Sequence, residues 1–209
     1  MASLITGIDA GRVRENLARV RDELPDDVEI LAAVKYVPLE EIGTLVEAGI
    51  ELVGENRAQE LAAKAQAYPQ LRWHFIGQLQ SRKVKLILPH VELIHSLASD
   101  SALRQLAKHG TPDTQVLIEV NTSGEEGKAG IAPAELGDFI ARCPVTVTGL
   151  MTMPPFTDDP EASRPHFAAL KRLADEHGLA ELSMGTSQDY RVAAEEGATI
   201  VRLGTILYE

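Results

Sequence analysis

The feature that most constrains the fold is a regular alternation of strand-like and helix-like patterns along nearly the whole chain. Short apolar or β-branched runs predict eight buried strands, at residues 29–35, 51–54, 73–77, 93–96, 115–120, 145–150, 182–184 and 199–203. Helical patterns lie between them and before the first, at 9–24, 39–48, 58–67, 81–88, 100–109, 133–143, 161–177 and 188–196. Strict alternation with short connections predicts right-handed βαβ units and a parallel sheet.

Two α/β architectures alternate in this way, the open doubly wound sheet and the closed barrel. Eight repeats without a long apolar edge strand favour a closed (β/α)8 TIM barrel, although 209 residues is near the lower end for that fold. No internal repeat, low-complexity tract or linker interrupts the pattern. We therefore expect residues 1–209 to form a single barrel domain.

Composition argues against several classes of partner. The chain has 20 Lys and Arg against 31 Asp and Glu, a formal net charge of −11, so phosphate backbones and anionic membranes repel it. Aromatic residues are only 4%, too few for stacking platforms on single-stranded nucleic acid. No secretory leader and no apolar stretch of membrane-spanning length is visible. The single Cys143 cannot form an internal disulfide, which fits a cytoplasmic protein.

Lys35 is the most informative polar residue, because it directly follows the apolar run of the first strand. In a barrel of this kind, functional groups lie at the carboxyl ends of the strands. A lysine there is partly withdrawn from water, which favours its neutral, nucleophilic amine. Such an amine can form a Schiff base with an aldehyde cofactor or a carbonyl substrate. The alternative interpretation is an ion pair with a nearby carboxylate such as Glu55.

The last two strands end in turns that predict an anion site. Ser187 follows Ser183-Met-Gly-Thr and begins the next helix, and the final strand leads into Gly204 and Thr205. Backbone amides at helix N-termini and in tight turns attract phosphate, and barrels commonly bind phosphate after strands seven and eight. A monophosphate site is therefore expected here. An ordinary Gly-Thr turn and a capping serine without a ligand remain the alternative.

Other catalytic motifs are missing from the sequence. It contains no G-x-G-x-x-G, no H-E-x-x-H and no G-x-S-x-G, and residues 124–128 lack the spacing of a phosphate-binding P-loop. A lone cysteine excludes cysteine-rich zinc sites. His74 fits either a hydrogen-bonded core histidine or a functional one.

Six segments carry a recognisable pattern: AVKYVP at 33–38, GENRAQE at 54–60, WHFIGQLQS at 73–81, GLMTMP at 149–154, LSMGTSQD at 182–189 and VRLGT at 201–205. Together they resemble the pyridoxal phosphate homeostasis protein family. The resemblance runs from about Val28 to Thr205. It implies the barrel of the alanine racemase N-terminal domain and a bound pyridoxal 5′-phosphate (PLP). It also implies a role in keeping that cofactor supplied and harmless, without established catalytic turnover.

The resemblance also implies a set of cofactor-binding residues. Lys35 matches the Schiff-base lysine, and Arg202 matches the arginine that faces the pyridine nitrogen. The remaining implied contacts are Ser187, Gly204 and Thr205 at the phosphate, Asn56, His74 and Met151 along the cleft, and Lys128 near the ring. Thr186 and Arg82 depart from the family pattern, which often has Met and Asn at these positions.

An amino-acid racemase that uses PLP is the alternative function. Arginine donates and cannot accept, so Arg202 would face an unprotonated pyridine nitrogen, a weaker electron sink that favours holding the cofactor. A two-base racemase also needs a second acid or base, which the resembling racemase takes from a second domain for which 209 residues leave no room. Tyr36 and Tyr190 are the local phenols that could substitute. A sugar-phosphate barrel enzyme is a third possibility.

The partners that the resemblance implies are PLP itself and enzymes that require it. We expect no nucleic acid and no membrane among them, on the charge and hydropathy grounds above. Loss of the racemase's dimerising domain favours a monomer.

Overall fold

A closed eight-stranded parallel barrel forms the centre of the protein, as seen in a computed structural model that describes residues 4–125 and 127–209. The strands are β1 (Glu29–Ala33), β2 (Leu52–Glu55), β3 (Arg72–Phe75), β4 (Leu93–Leu97), β5 (Gln115–Glu119), β6 (Thr146–Met151), β7 (Glu181–Ser183) and β8 (Ile200–Leu203). Each strand pairs with the next in sequence order, and β8 pairs with β1. The prediction of a (β/α)8 barrel is confirmed.

The described helices alternate with the strands. They are α1 (Ala10–Asp22), α2 (Ile42–Glu47), α3 (Ala58–Ala67), α4 (Val84–Ile87), α5 (Asp100–His109), α6 (Leu136–Ala141), α7 (Arg164–Glu176), α8 (Tyr190–Glu195) and α9 (Thr205–Tyr208). Single 3₁₀ turns at Leu39–Glu41, Ser81–Lys83, Pro133–Glu135 and Pro160–Ser163 precede α2, α4, α6 and α7, and another at Leu88–His90 follows α4. None of the described helices has the length and apolar character needed to cross a membrane.

Two helix boundaries show how local chemistry sets the elements. The Asp9 carboxylate accepts a hydrogen bond from the Arg12 amide at 2.7 Å, so α1 begins where the sequence places its cap. At the other end of the chain, α9 was not predicted, because four residues carry too little periodicity. Asn16 of α1 donates to the Leu207 and Glu209 carbonyls and so ties the two helices together.

The core has two layers, because strand side chains point alternately outward and inward. Outward apolar residues pack against the helices. Inside the barrel a smaller cluster consists of Leu31, Leu52, Leu93, Leu117, Met151 and Ile200. Several inward positions are polar instead, namely His74, His95, Glu119, Ser183 and Arg202, and all of them are buried. Glu119 and Arg202 lie at the mouth formed by the carboxyl ends of the strands, and the other three lie along the barrel axis.

Candidate functional site

A cavity of about 180 Å³ lies at the carboxyl ends of the strands. The residues that line it end or follow the strands: Ala33, Lys35, Asn56, Ile76, Gly77, Gln78, Ser96, Glu119, Ala129, Met151, Met153, Thr186 and Arg202. A larger depression of about 460 Å³ lies at the opposite mouth, between α1 and the amino ends of β1 to β3. The smaller cavity is the better candidate, because the functional groups of such barrels lie at the carboxyl ends of the strands.

Lys35 lies in the turn after β1, two residues beyond the end of the strand. β1 is shorter than the strand predicted at 29–35, because a turn begins directly after it. In this turn the Val37 amide donates to the Val34 carbonyl at 3.1 Å. The lysine is half-buried, and its Nζ lies 5.1 Å from the centre of the Tyr36 ring. Within the described residues it makes no ion pair. Its amine is thus available to a ligand in the cavity.

The expected competitor for Lys35, Glu55, is already satisfied by other groups. Its Oε2 lies 2.6 Å from Nζ of Lys64, and its Oε1 accepts from the amides of Asn56 at 2.7 Å and Arg57 at 3.1 Å. Lys64 also donates to the Val34 carbonyl at 2.9 Å. Sequence reasoning missed this buried pair because Lys64 stands in an otherwise ordinary helical pattern. The Lys64–Glu55 pair joins the end of β2 to the Val34 carbonyl after β1, in the residue that precedes Lys35.

Asn56 carries a buried acceptor without a donor. Its Oδ1 makes no hydrogen bond within the described residues, although the side chain lines the cavity. An unsatisfied buried acceptor costs about 1–3 kcal/mol, which a donor on a ligand would recover. Gly77 makes this arrangement feasible, since a Cβ at that position would lie 2.2 Å from the Asn56 carbonyl oxygen.

Arg202 holds a buried positive charge among neutral acceptors. Its Nη1 donates to the Ser183 carbonyl at 2.7 Å and to the Ser183 Oγ at 2.5 Å, and its Nη2 donates to the Thr152 carbonyl at 3.0 Å. Burial lowers the pKa of the guanidinium to about 10, against the opposing charges of Glu119 and Asp189. No carboxylate of the described chain touches it. Nη2 also donates to the Met153 Sδ at 2.8 Å, so both Nη atoms are held in place and Nε is the guanidinium nitrogen without an acceptor in the described chain.

Glu119 is a cavity residue that sequence reasoning missed. It ends β5 and is only 7% exposed, and its side-chain carboxylate accepts no hydrogen bond from the described residues. Burial raises the pKa of its carboxyl group, while the charge of Arg202 opposes that rise. The usable signal was a carboxylate at the end of an otherwise apolar strand, a position typical of functional groups in barrels. It is the one carboxylate lining the cavity within the described residues.

The three expected phosphate contacts lie beside the cavity and do not line it. The Gly204 amide donates to the Ser187 Oγ at 3.2 Å, which brings the two turns together. The Thr186 amide and hydroxyl both bind the Asp189 carboxylate, at 2.7 and 3.1 Å, and this turn delays the start of α8 to Tyr190.

Donors nevertheless remain at these two turns. The Ser187 hydroxyl accepts from Gly204 but keeps its own proton to donate. The amides of Ser187, Thr205 and Ile206 reach no acceptor within the part of the chain that the structure describes. These three amides and the Ser187 hydroxyl are therefore the donors that the two turns can offer to an anion.

His74 does not line the cavity, contrary to the expectation from the sequence. It is buried in the middle of β3, and its Nδ1 lies 2.9 Å from Nε2 of His95. Its Nε2 faces the opposite mouth, 3.9 Å from the Glu92 carboxylate. Burial lowers the pKa of His74 to about 3, so it is a neutral core histidine. Inward alternation along β3 places it one layer below Ile76, which does reach the cavity.

Of the remaining candidate residues, one lines the cavity and the others lie outside it. Met151 lines the cavity. Lys128 lies in an adjoining depression of about 490 Å³, where its Nζ is 3.1 Å from the Glu125 carboxylate. Neither phenol reaches the cavity, and the Tyr190 hydroxyl donates to Glu23 instead. Across residues 4–125 and 127–209, no group of three or more His, Cys, Asp or Glu side chains could hold a metal.

Comparisons with known proteins agree with this geometry. The family model described as alanine racemase, N-terminal domain, matches residues 8–209. The pyridoxal phosphate homeostasis protein of Aquifex aeolicus (strain VF5) is 44% identical over 195 residues, which are 86% of this chain and 86% of that protein. The protein of the same name from Escherichia coli (strain K12) is 31% identical over 223 residues, covering 94% of this chain and 95% of its own.

Solved structures give the same relationship. PipY of Synechococcus elongatus PCC7942, solved with PLP bound, superposes with a TM-score of 0.83 at 32% identity, covering 94% of this chain and 100% of its own. An alanine racemase of Clostridium difficile 630 shares the fold, with a TM-score of 0.76 at 16% identity over 96% of this chain and 57% of its own. The chain therefore belongs to the pyridoxal phosphate homeostasis proteins, within the family that shares the alanine racemase N-terminal domain.

Proposed function

We propose that this protein binds PLP as a Schiff base on Lys35 and acts in PLP homeostasis. The observation that carries the proposal is the pairing, in one cavity, of a lysine amine without an ion pair in the described chain and the buried Arg202 guanidinium. The solved PipY structure with PLP, 32% identical to this chain, supports the choice of cofactor. The aldehyde of PLP supplies the electrophile that a lysine amine can capture.

The residues of the cavity fit the remaining groups of PLP. Asn56 Oδ1, which has no donor in the described chain, suits the phenol of the cofactor as a hydrogen-bond partner. Arg202 would donate toward the ring nitrogen and keep it unprotonated, since a guanidinium does not give up its proton in practice. The Ser187 hydroxyl and the amides of Thr205 and Ile206 would hold the phosphate beside Gly204. An unprotonated ring favours holding the cofactor over broad carbanion chemistry.

Borohydride reduction followed by peptide mapping tests the Schiff base. The protein loaded with PLP should show a visible absorption band, and reduction should leave a pyridoxyl group on the peptide that contains Lys35. The Lys35→Ala variant should lose both signals, since no other lysine side chain lines the cavity within the described chain. Lys85→Ala, which removes an exposed lysine of α4, should retain both. A pyridoxyl group on another lysine, or a band that survives in Lys35→Ala, overturns the assignment.

The proposal extends to the cellular role of the protein. The protein would work in the cytoplasm as a monomer and supply PLP to enzymes that require it. The single Cys143 fits a reducing compartment. Mixing the loaded protein with an apo-enzyme that uses PLP, and following the recovery of that enzyme's activity against an equal dose of free PLP, tests the transfer.

Glu119 favours a second candidate, an amino-acid racemase. The sequence offered Tyr36 and Tyr190 as the second base, and neither lines the cavity, but Glu119 does. Burial raises the pKa of its carboxyl group, which is the direction that a carboxyl acting as a general acid needs. Under the homeostasis proposal, enantiomer-resolved assays across the standard amino acids should show no turnover. Multiple turnovers abolished by both Lys35→Ala and Glu119→Gln would establish the racemase instead.

A further inference from the structure

A continuous chain of buried polar side chains runs from the cavity through the interior of the barrel. Arg202 donates to the Ser183 Oγ at 2.5 Å, the Ser183 Oγ lies 2.8 Å from Nδ1 of His95, and Nε2 of His95 lies 2.9 Å from Nδ1 of His74. The chain ends at the opposite mouth, where Nε2 of His74 is 3.9 Å from Glu92. We call these four residues the axial chain: Arg202, Ser183, His95 and His74.

The direction of the axial chain follows from Arg202, because a guanidinium donates hydrogen bonds and accepts none. The Ser183 Oγ must accept from it. Ser183 is fully buried, and His95 Nδ1 is the acceptor in reach of its single proton among the described residues. His95 therefore carries its proton on Nε2 and donates to His74, which carries its own proton on Nε2. One donor thus sets the tautomers of two histidines on other strands.

The axial chain carries its single positive charge at the cavity end. The groups that face His95 are Arg202, Ser183 and His74, while His74 also faces Arg72 and Glu92 at the opposite mouth. Burial is the largest cause that lowers the pKa of each histidine, and a neighbouring arginine adds to it. A protonated His95 would donate from Nδ1 to the Ser183 Oγ, and the Ser183 proton would then have no acceptor among the described residues. Neutral histidines satisfy every donor and acceptor of the axial chain.

We propose that Ser183 and His95 are positioning residues that hold the Arg202 guanidinium in the pose from which it donates into the cofactor cavity. Without the proton acceptor on His95, the Ser183 hydroxyl would rotate, and Arg202 would keep the Ser183 and Thr152 carbonyls and the Met153 Sδ as its partners. The arginine would then sample other orientations, and a ring nitrogen in the cavity would lose a fixed donor. The inference rests on the proposed function for the identity of that ring, but the orientation of Arg202 is a property of the protein alone.

A matched pair at His95 provides the main test. His95→Asn keeps an acceptor oxygen near the position of Nδ1, whereas His95→Leu removes it at similar volume. Ser183→Ala removes the relay directly with little change in shape. The first readout is NMR of the Arg202 guanidinium in protein without cofactor. The second is the ¹⁵N shift of the ring nitrogen in protein loaded with ¹⁵N-labelled PLP, together with the dissociation constant for PLP.

Ser183→Ala and His95→Leu should speed proton exchange of the Arg202 guanidinium, shift the ring ¹⁵N signal and weaken PLP binding about tenfold. His95→Asn should stay within about twofold of the wild type. Phe139→Leu, a core change in α6, which lies between two strands that carry no member of the axial chain, controls for lost stability and should leave all three readouts unchanged. Unchanged guanidinium exchange in Ser183→Ala, or equal behaviour of the two His95 variants, overturns the inference. Lack of a Schiff base on wild-type Lys35 would overturn the proposed function alone, since the guanidinium readout needs no cofactor.

Discussion

Replacing Lys64 by methionine should lower the free energy of unfolding by about 3–5 kcal/mol. The side chains of Lys64 and Glu55 are only 2% and 0% exposed, and their charged atoms lie 2.6 Å apart. Removing the ammonium leaves a carboxylate in the interior with only two backbone amides to stabilise it. Chemical denaturation monitored by circular dichroism measures the change as a shift in the unfolding midpoint.

Two further variants identify the cause of that loss. Lys64→Met combined with Glu55→Gln removes both charges, so it should recover a large part of the lost stability. Lys171→Met breaks an exposed ion pair with Asp175 and should change stability by less than about 1 kcal/mol. A loss below about 1 kcal/mol for Lys64→Met, or no recovery in the double variant, would contradict the view that this buried pair anchors the ends of β1 and β2.

Acidification from pH 6.5 to 4.5 should destabilise the protein by about 2 kcal/mol through His74 alone, with a further loss through His95, because both buried histidines are held neutral in the fold. The pKa of His74 is lowered to about 3 and that of His95 lies well below its usual value. Below the ordinary histidine pKa of about 6.5, these two histidines bind protons in the unfolded chain but stay unprotonated in the folded chain. Stability is therefore complete above about pH 6.5 and is lost progressively toward pH 3.

Urea denaturation at half-unit pH intervals measures this slope. The double variant His74→Gln, His95→Asn should flatten the slope between pH 6.5 and 4.5, even if it is less stable at pH 7. Carboxylates with lowered pKa, such as Glu23, lose their contribution only below about 4.5, so they fall outside this window. A slope that is the same in the double variant and the wild type would show that these histidines do not remain neutral.

The barrel was predictable because local patterns repeat. Each strand is a short apolar run, and turn residues such as Gly49 and Gly178 mark where helices end. The same patterns predicted that Lys35 would reach the barrel mouth, since it directly follows the apolar run at 30–34. Boundaries were less accurate where hydrogen bonds outside the element decided them, as at α8, where Asp189 binds Thr186 and delays the helix.

The candidate site was only partly predictable. Lys35, Asn56, Met151 and Arg202 line one cavity, as expected from strand ends and family motifs. His74 was placed wrongly because its motif does not say how deep an inward side chain lies. Glu119 and Lys64 were missed because a carboxylate at a strand end and a lysine in a helix look ordinary in one dimension. Both acquire meaning only from the groups packed around them.

The sequence by itself determined the alternation of strands and helices and the number of strands, because hydrophobic periodicity and turn residues act over a few neighbours. It also determined which strand ends carry an amine and a guanidinium. The tertiary structure alone decided which charges meet. Closure of the barrel joins Ser183 to His95, 88 residues away in the sequence. Folding also pairs Glu55 with Lys64, although the sequence allowed a pair with Lys35. Burial in a shared interior, where every donor needs an acceptor, selects those partners.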